Sequence, residues 1–202
     1  LFRSSEELIV STKKVSVIIC TIHSSNELAR AFDSVVNQTM NPDDYEIVIV
    51  NNKPFDSDLR ETVLRWQEGP AARRPVSVRY VDAPVPGLSH ARNIGGHAAC
   101  GEVLFFTDDD AECEPQCLQE IYHCYRNFDS VGVVGGQVLL QVPEHKRQFV
   151  VPSYEGVWSH FPLTGESPTE AIHAWEFPFG ANFSVRREVF LKIGGFRCKY
   201  GR

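Results

Sequence analysis

Two rhythms of apolar residues alternate along the chain. Short unbroken runs, VSVIICT at 15–21, YEIVIVNN at 45–52 and VLFF at 103–106, are typical of strands buried on both faces of a parallel sheet. After the first run, SSNELARAFDSVVNQ has helical periodicity, with Leu28, Phe32 and Val35 or Val36 on its buried face and Ser24 and Glu27 spaced as a capping box. A second helix is expected over 57–67, entered past Pro54 and stopped by Gly69 and Pro70. VSVRYVD at 76–82 alternates enough to lie nearer a sheet edge. In the stretch that follows, Leu88, Ala91 and Ile94 keep helical spacing, and Gly95 and Gly96 either break the middle or permit a close approach. Further on, the pattern predicts a helix over 115–128 with Pro115 in its first turn, and a fifth strand at VGVVGGQVLLQ. A strand at 182–185 and a helix at 186–193 follow, the helix closed by Gly194 and Gly195. Strands alternating with helices in this way imply βαβ units and an α/β fold of three layers around a mostly parallel central sheet.

Residues 142–176 break the rhythm and are rich in proline, histidine and aromatics, including Tyr154, Trp158, Phe161 and Trp175. A long irregular segment in a compact domain is usually functional or mobile, and aromatic faces stack on sugar rings as readily as they fill a local core. This segment is assigned to the acceptor side.

A length of 202 residues with 43% hydrophobic content suits one domain with an ample core. The net charge of -6 leaves no basic footprint, so nucleic acid is set aside as a partner. No apolar run reaches the length of a membrane span, and the first residues lack a signal-peptide cleavage site. The expected location is cytoplasmic, or peripheral at the membrane. Six cysteines without a CxxC pair suggest reduced, buried thiols, with Cys117 and Cys124 sharing a helical stripe with Ile121 and Phe128. Seven histidines show no zinc spacing. Neither GxGxxG nor GxxxxGK[ST] follows a predicted strand, which disfavours a dinucleotide fold and a P-loop.

The candidate chemistry lies in GEVLFFTDDDAE. Asp108, Asp109 and Asp110 follow a buried strand at the end where open α/β sheets bind their ligands, and adjacent carboxylates repel unless cations or donors balance them. Oxygen-only ligands favour a hard divalent ion, Mg2+ or Mn2+. A solvated acidic turn charging the next helix N-terminus is the simpler reading of the same three residues.

Four segments in order, VSVIICT, YEIVIVNN, PGLSHARNIGGHAACGEVLFFTDDDAE and FPFGANFSVRREVFLKIGGF, together resemble the family-2 glycosyltransferases of GT-A, Rossmann-like fold, over residues 14–196. The resemblance implies a nucleotide-sugar donor half at 14–141 and an incomplete acceptor-side half at 142–202, in a single domain. Asp108 and Asp110 would be the DxD pair holding the metal against the donor's diphosphate, with Asp109 able to reach ribose or metal-bound water. Arg92, in ARN, resembles the family arginine near the nucleotide. Thr21 and His23 fall in the loop that wraps the base, and Gly180, Ala181 and Asn182 match the family GAN near donor sugar and acceptor. The implied activity is inverting transfer from a nucleotide-diphosphate sugar, a UDP-sugar first, to a carbohydrate or lipid-linked acceptor in glycan or polysaccharide synthesis.

Three departures qualify it. Asn51 stands where many members carry an aspartate that accepts from uracil, with Asn52 beside it, although an amide oxygen still accepts. TIHSSN lacks the basic or tyrosine residue common in the first loop. The Gly-Glu-Asp motif that supplies the family's general base is expected beyond Arg202, the last residue given, and Glu176 is a tempting substitute expected to matter little for turnover. A donor-binding module without turnover is therefore a second reading, and a nucleotidyltransferase a third.

Overall fold

The computed structural model describes residues 13–53, 57–151, 156, 159–163, 168–170 and 178–200. In chain order the strands are β1 (Val15–Thr21), β2 (Tyr45–Asn51), β3 (Ser77–Asp82), β4 (Val103–Asp108), β5 (Val133–Gly135) and β6 (Phe183–Arg186). The helices are α1 (Asn26–Val36), α2 (Ser57–Glu68), the single turn α3 (Pro70–Arg73), α4 (Leu88–Ala98), α5 (Cys117–Asn127) and α6 (Arg187–Ile193). The strands form one sheet in the order β3, β2, β1, β4, β6, β5. The pairs joining β3 to β2, β2 to β1 and β1 to β4 are parallel, whereas β6 runs antiparallel to both β4 and β5. The expected mostly parallel sheet and the edge position of β3 are both met.

Because successive strand residues point to opposite faces, the unbroken apolar runs divide between two cores. Val15, Val17, Ile19, Tyr45, Ile47, Ile49, Val103 and Phe105 meet Leu28, Phe32 and Val35 of α1, Leu59 and Val63 of α2, and Leu118, Ile121 and Tyr125 of α5. Ile18, Val48, Val50, Leu104 and Phe106 face Ala91 of α4 and Phe190 of α6. Helices on both faces of a parallel sheet are what such doubly buried strands require. Each fully buried large side chain contributes on the order of 1.5–3 kcal/mol.

The second face is where Gly95 and Gly96 act. α4 runs unbroken through both, so close approach is the correct alternative. A Cβ on Gly95 would lie 2.6 Å from Cγ2 of Ile18, and one on Gly96 would lie 2.5 Å from Cζ of Phe190. Gly96→Ala is expected to cost about 1–3 kcal/mol by forcing the Phe190 ring aside. An unchanged urea midpoint would show that the α4–α6 contact is slack.

Polar side chains tie the strands together at the end of the sheet remote from the acidic motif. Glu46, 1% exposed in β2, accepts from the Ser16 hydroxyl at 2.6 Å and the Cys100 N–H at 2.7 Å, and pairs with Arg79 of β3 at 3.2 Å. Ser16 in turn accepts from the Gly101 N–H at 2.7 Å. This network joins β1, β2, β3 and the turn into β4, and no apolar pattern announces it.

Several sequence expectations move. α1 is capped by Ser25, whose hydroxyl accepts from the Leu28 N–H at 3.1 Å, while Ser24 meets the Thr62 hydroxyl at 3.2 Å. The helix starts one residue later than a Ser24 capping box requires, so Glu27 falls at the second helical position instead of the third, where its own backbone N–H and the Ser25 hydroxyl hold its carboxyl below the ordinary value. α5 begins at Cys117 behind Gln116, so Pro115 precedes the helix, and its carbonyl accepts from Thr39 N–H at 2.7 Å. The fifth strand is only Val133–Gly135. Gly136 then leaves the ladder to donate to the Asn182 carbonyl at 3.1 Å, and Val138 is left with an isolated bridge to Phe161. Within the irregular stretch, Glu144–Phe149 forms a 3-10 helix. Phe161 packs edge-on to Phe179 at 5.8 Å, whereas Tyr154, Trp158, Trp175 and Glu176 lie outside the described residues, as do Pro54 and Arg202. The six cysteines are thiols of intermediate exposure rather than fully buried ones, and burial pushes Cys20 in β1 up to about 12. Phe128 lies just past the end of α5 and is exposed, so the stripe expected with Cys117 and Cys124 is buried chiefly at Ile121.

Candidate active site

Between β1 and β4 the strand order turns back on itself, with β2 and β3 on one side and β6 and β5 on the other. A sheet leaves a crevice beyond the carboxyl ends of its strands at such a reversal. Cys20 pairs in register with Asp108, so the last residues of β1 and β4 end side by side at that crevice. Thr21, buried at the end of β1, hydrogen-bonds through its hydroxyl to the Asp109 carboxylate. Its oxygen also accepts the His23 N–H at 3.3 Å, which fixes the start of the loop on which the exposed His23 sits.

α4 brings Arg92 to the same crevice. Its Nη2 lies 3.2 Å from Oδ1 of Asp108 and 3.3 Å from the Gly180 carbonyl, and the side chain is only 14% exposed. Burial pushes the Asp108 carboxyl above the ordinary carboxylate value, Arg92 pulls it back, and Asp110 and Asp109 push it up again. Asp110 is exposed. The three carboxylates therefore have different surroundings: Asp108 against a guanidinium, Asp109 against a hydroxyl, Asp110 toward solvent. Among the described residues no group of three or more histidine, cysteine, aspartate or glutamate side chains is gathered for a metal. A donor set of one or two carboxylates fits Mg2+ or Mn2+, which complete their shells with water and phosphate oxygens, better than it fits an ion that needs a full protein cage.

Gly180, Ala181 and Asn182 lead into β6 beside β4. Gly180 does more than turn the chain, since a Cβ there would occupy the place of the Arg92 guanidinium. Ala181 is buried, and Asn182 donates to the Gln137 carbonyl at 2.9 Å while its buried Oδ1 has no hydrogen-bond partner among the described residues. The general base expected beyond Arg202 lies outside the described residues.

At the end of β2, Asn51 is 2% exposed and faces inward. Its Nδ2 donates to the Tyr80 hydroxyl at 2.9 Å and to Asp82 at 3.3 Å, and its Oδ1 accepts from the Lys53 N–H at 2.9 Å. Tyr80 also donates to Asp82 at 2.7 Å. Asn52 holds the loop before α4, donating to the Val85 carbonyl at 2.9 Å and accepting the Gly87 N–H at 2.8 Å. Sequence reasoning passed over Tyr80, Asp82 and the role of Asn52. The paired amides after β2 are the one signal that could have suggested a polar hub.

Residues 16–194 match the model of glycosyl transferase family 2, and the chain belongs to that family. A glucosyl-dolichyl phosphate glucuronosyltransferase of Haloferax volcanii is 28% identical over 201 residues, covering 94% of this chain and 58% of that protein. An uncharacterized glycosyltransferase of Nostoc sp. is 32% identical over 184 residues, covering 89% of this chain and 53% of that one. The chain spans about half the length of these curated relatives. Among solved structures, a mannosyltransferase from Pyrobaculum calidifontis in complex with GDP-Man and Mn2+ superposes with a TM-score of 0.64 at 20% identity, over 94% of this chain and 49% of that one. TarS of S. aureus in complex with UDP gives 0.65 at 19% identity, over 92% and 51%. The architecture is accordingly the Rossmann-like α/β fold of GT-A glycosyltransferases. Among the described residues no helix is long and apolar enough to cross a membrane.

Proposed function

We propose that this chain forms the donor-binding part of an inverting glycosyltransferase, which moves a sugar from a nucleotide diphosphate, a UDP-sugar first, to a carbohydrate or lipid-linked acceptor. The observation that carries the reading is the convergence of Thr21, Arg92, Asp108, Asp109 and Asp110 on the crevice where the strand order reverses. A site for a diphosphate needs fixed positive charge and oxygen ligands for a divalent ion, and this crevice has both. A guanidinium is a permanently charged, multi-donor partner for phosphate oxygens, and Arg92 supplies one here. Asp108 and Asp110 are the residues that would hold Mn2+ or Mg2+. Bound there, the ion would act as a Lewis acid on the charge that develops on the departing diphosphate.

The remaining residues sort by position. His23 flanks the base, and Tyr80 and Asp82 offer it polar contacts, with Asn51 holding both from behind. Asp109, oriented by Thr21, faces the ribose or metal-bound water. Gly180, Ala181 and Asn182 border the donor sugar and the acceptor. Inversion requires the acceptor hydroxyl to attack the anomeric carbon from the face opposite the diphosphate, on the side of β6 and the irregular segment that follows β5. The name of the Haloferax relative supports a lipid-linked acceptor, and the UDP and GDP-Man complexes of the structural neighbours support a nucleotide-sugar donor.

Calorimetry and thermal melting with UDP and with GDP, each with and without Mn2+, test the reading. UDP is expected to raise the melting temperature a little without Mn2+ and much further with it. A protein that binds neither nucleotide with Mn2+ is not a donor-binding domain of this kind.

A further inference from the structure

Arg92 and Asn93 are adjacent on α4, and Asn93 is used by a part of the chain far away in sequence. Its Oδ1 accepts from the Phe196 N–H at 2.7 Å and its Nδ2 donates to the Phe196 carbonyl at 2.9 Å. The amide orientation follows from its partners, because a backbone N–H needs an acceptor and a carbonyl needs a donor. One side chain thus grips both polar groups of one residue, fixing where that residue sits and how it is turned.

The residue gripped lies just past α6. Gly194 and Gly195 have φ of 78° and 74°, left-handed values that reverse the chain after the helix. A Cβ on Gly195 would fall on Oδ1 of Asn93, so the turn and the grip are built for each other. The turn delivers the Phe196 ring edge-on to Phe106 at 5.3 Å and to Phe183 at 5.8 Å, with the Arg92 guanidinium 5.7 Å from its centroid. The two polar contacts of Arg92, at 3.2 and 3.3 Å, are longer than the roughly 2.7–2.9 Å of tight charged hydrogen bonds. Both fall on Nη2 alone, and the aromatic ring adds a contact to the guanidinium as a whole.

We propose that Asn93 is a positioning residue: by clamping the turn after α6 onto α4 it seats Phe196 against Arg92, and so aims the guanidinium at the diphosphate of the donor. The second half of this statement rests on the donor reading given above, and the first half does not. α4 thereby carries the donor-site arginine and, on the next residue, the support that holds it.

The test combines a spectroscopic readout with an affinity. The side-chain Nε–H resonance of Arg92 senses the ring current of Phe196 and is followed in Asn93→Ala, Asn93→Asp and Phe196→Leu proteins. Asn93→Ala is expected to move it to the position it takes in Phe196→Leu. Asn93→Asp keeps the bond from the Phe196 N–H and should move it less; it carries the test if the alanine variant does not fold. Affinity for UDP with Mn2+ should fall about tenfold in Asn93→Ala and in Phe196→Leu, while affinity for uridine, which lacks the diphosphate, stays the same. An unmoved Arg92 resonance in a folded Asn93 variant overturns the proposal. So does equal loss of uridine and UDP, which would make Asn93 only a structural tie. A wild-type protein that binds neither UDP nor GDP defeats the donor reading, and the resonance still decides whether the clamp exists.

Discussion

Asp110→Asn is expected to lower Mn2+-dependent affinity for UDP by about 100-fold, on the order of 2.7 kcal/mol, while the protein stays folded. The size follows from the small number of ligands. If the chain supplies only Asp108 and Asp110 to the ion, exchanging one charged oxygen donor for a neutral amide removes half of the protein's charge on it. Survival of the fold follows from exposure: Asp110 lies at the surface beyond the end of β4, where substitutions usually change stability by within about 0.5 kcal/mol. The variant also removes one of the negative neighbours that push the Asp108 carboxyl upward, so the Arg92–Asp108 pair should hold at least as well as before. Arg92→Ala separates the two kinds of charge at the site. It should weaken UDP binding both with and without Mn2+, whereas Asp110→Asn should act only when the metal is present. Calorimetry that finds the Mn2+-dependent affinity of Asp110→Asn unchanged would leave the acidic motif as a solvated turn.

What could be read in the sequence is what depends on near neighbours. Phe32 and Leu28 announce the buried face of α1 because a helix repeats its environment every three to four residues, and VSVIICT announces a doubly buried strand because both faces of the sheet are covered. Asp108, Asp109 and Asp110 stood out because a strand end is itself a local feature. The cap of α1 moved by one residue because Ser24 and Ser25 are chemically equal, and only the start of the helix decides between them. The fifth strand was overread because apolar residues on both sides of Gly135 and Gly136 look alike, although only Val133–Gly135 finds β6 beside it. Asn93 and Glu46 were silent for a stronger reason. Each is a polar residue whose near neighbours give no sign of its role, and the groups that give it one lie 103 and 54 residues away in Phe196 and Cys100. No periodicity encodes such a partner.

Glu46→Ala is expected to cost about 3 kcal/mol of stability, a large effect for a polar substitution, although the residue is remote from the acidic motif. Its carboxylate is 1% exposed and satisfies the Ser16 hydroxyl, the Cys100 N–H and the Arg79 guanidinium. Alanine strands two of these donors in the interior, at roughly 1–3 kcal/mol for each one left without a partner, and Ser16 can recover part of the loss by rotating. Arg79, about half exposed, turns to solvent at little cost. Glu46→Gln keeps the volume and one acceptor oxygen and should cost less. Acid separates the charge from the packing. Burial alone would push this carboxyl up, but the Cys100 N–H, the Ser16 hydroxyl and Arg79 outweigh it and hold it below its ordinary value. A carboxyl depressed in the folded protein contributes stability that is present above its unfolded value, about 4.3, and is lost as pH falls through the folded one. Urea midpoints should therefore show the wild type well above Glu46→Gln at pH 7, with the gap closing below about pH 4. A gap that persists unchanged into acid would mean that the carboxylate's charge contributes nothing and that packing alone accounts for the loss.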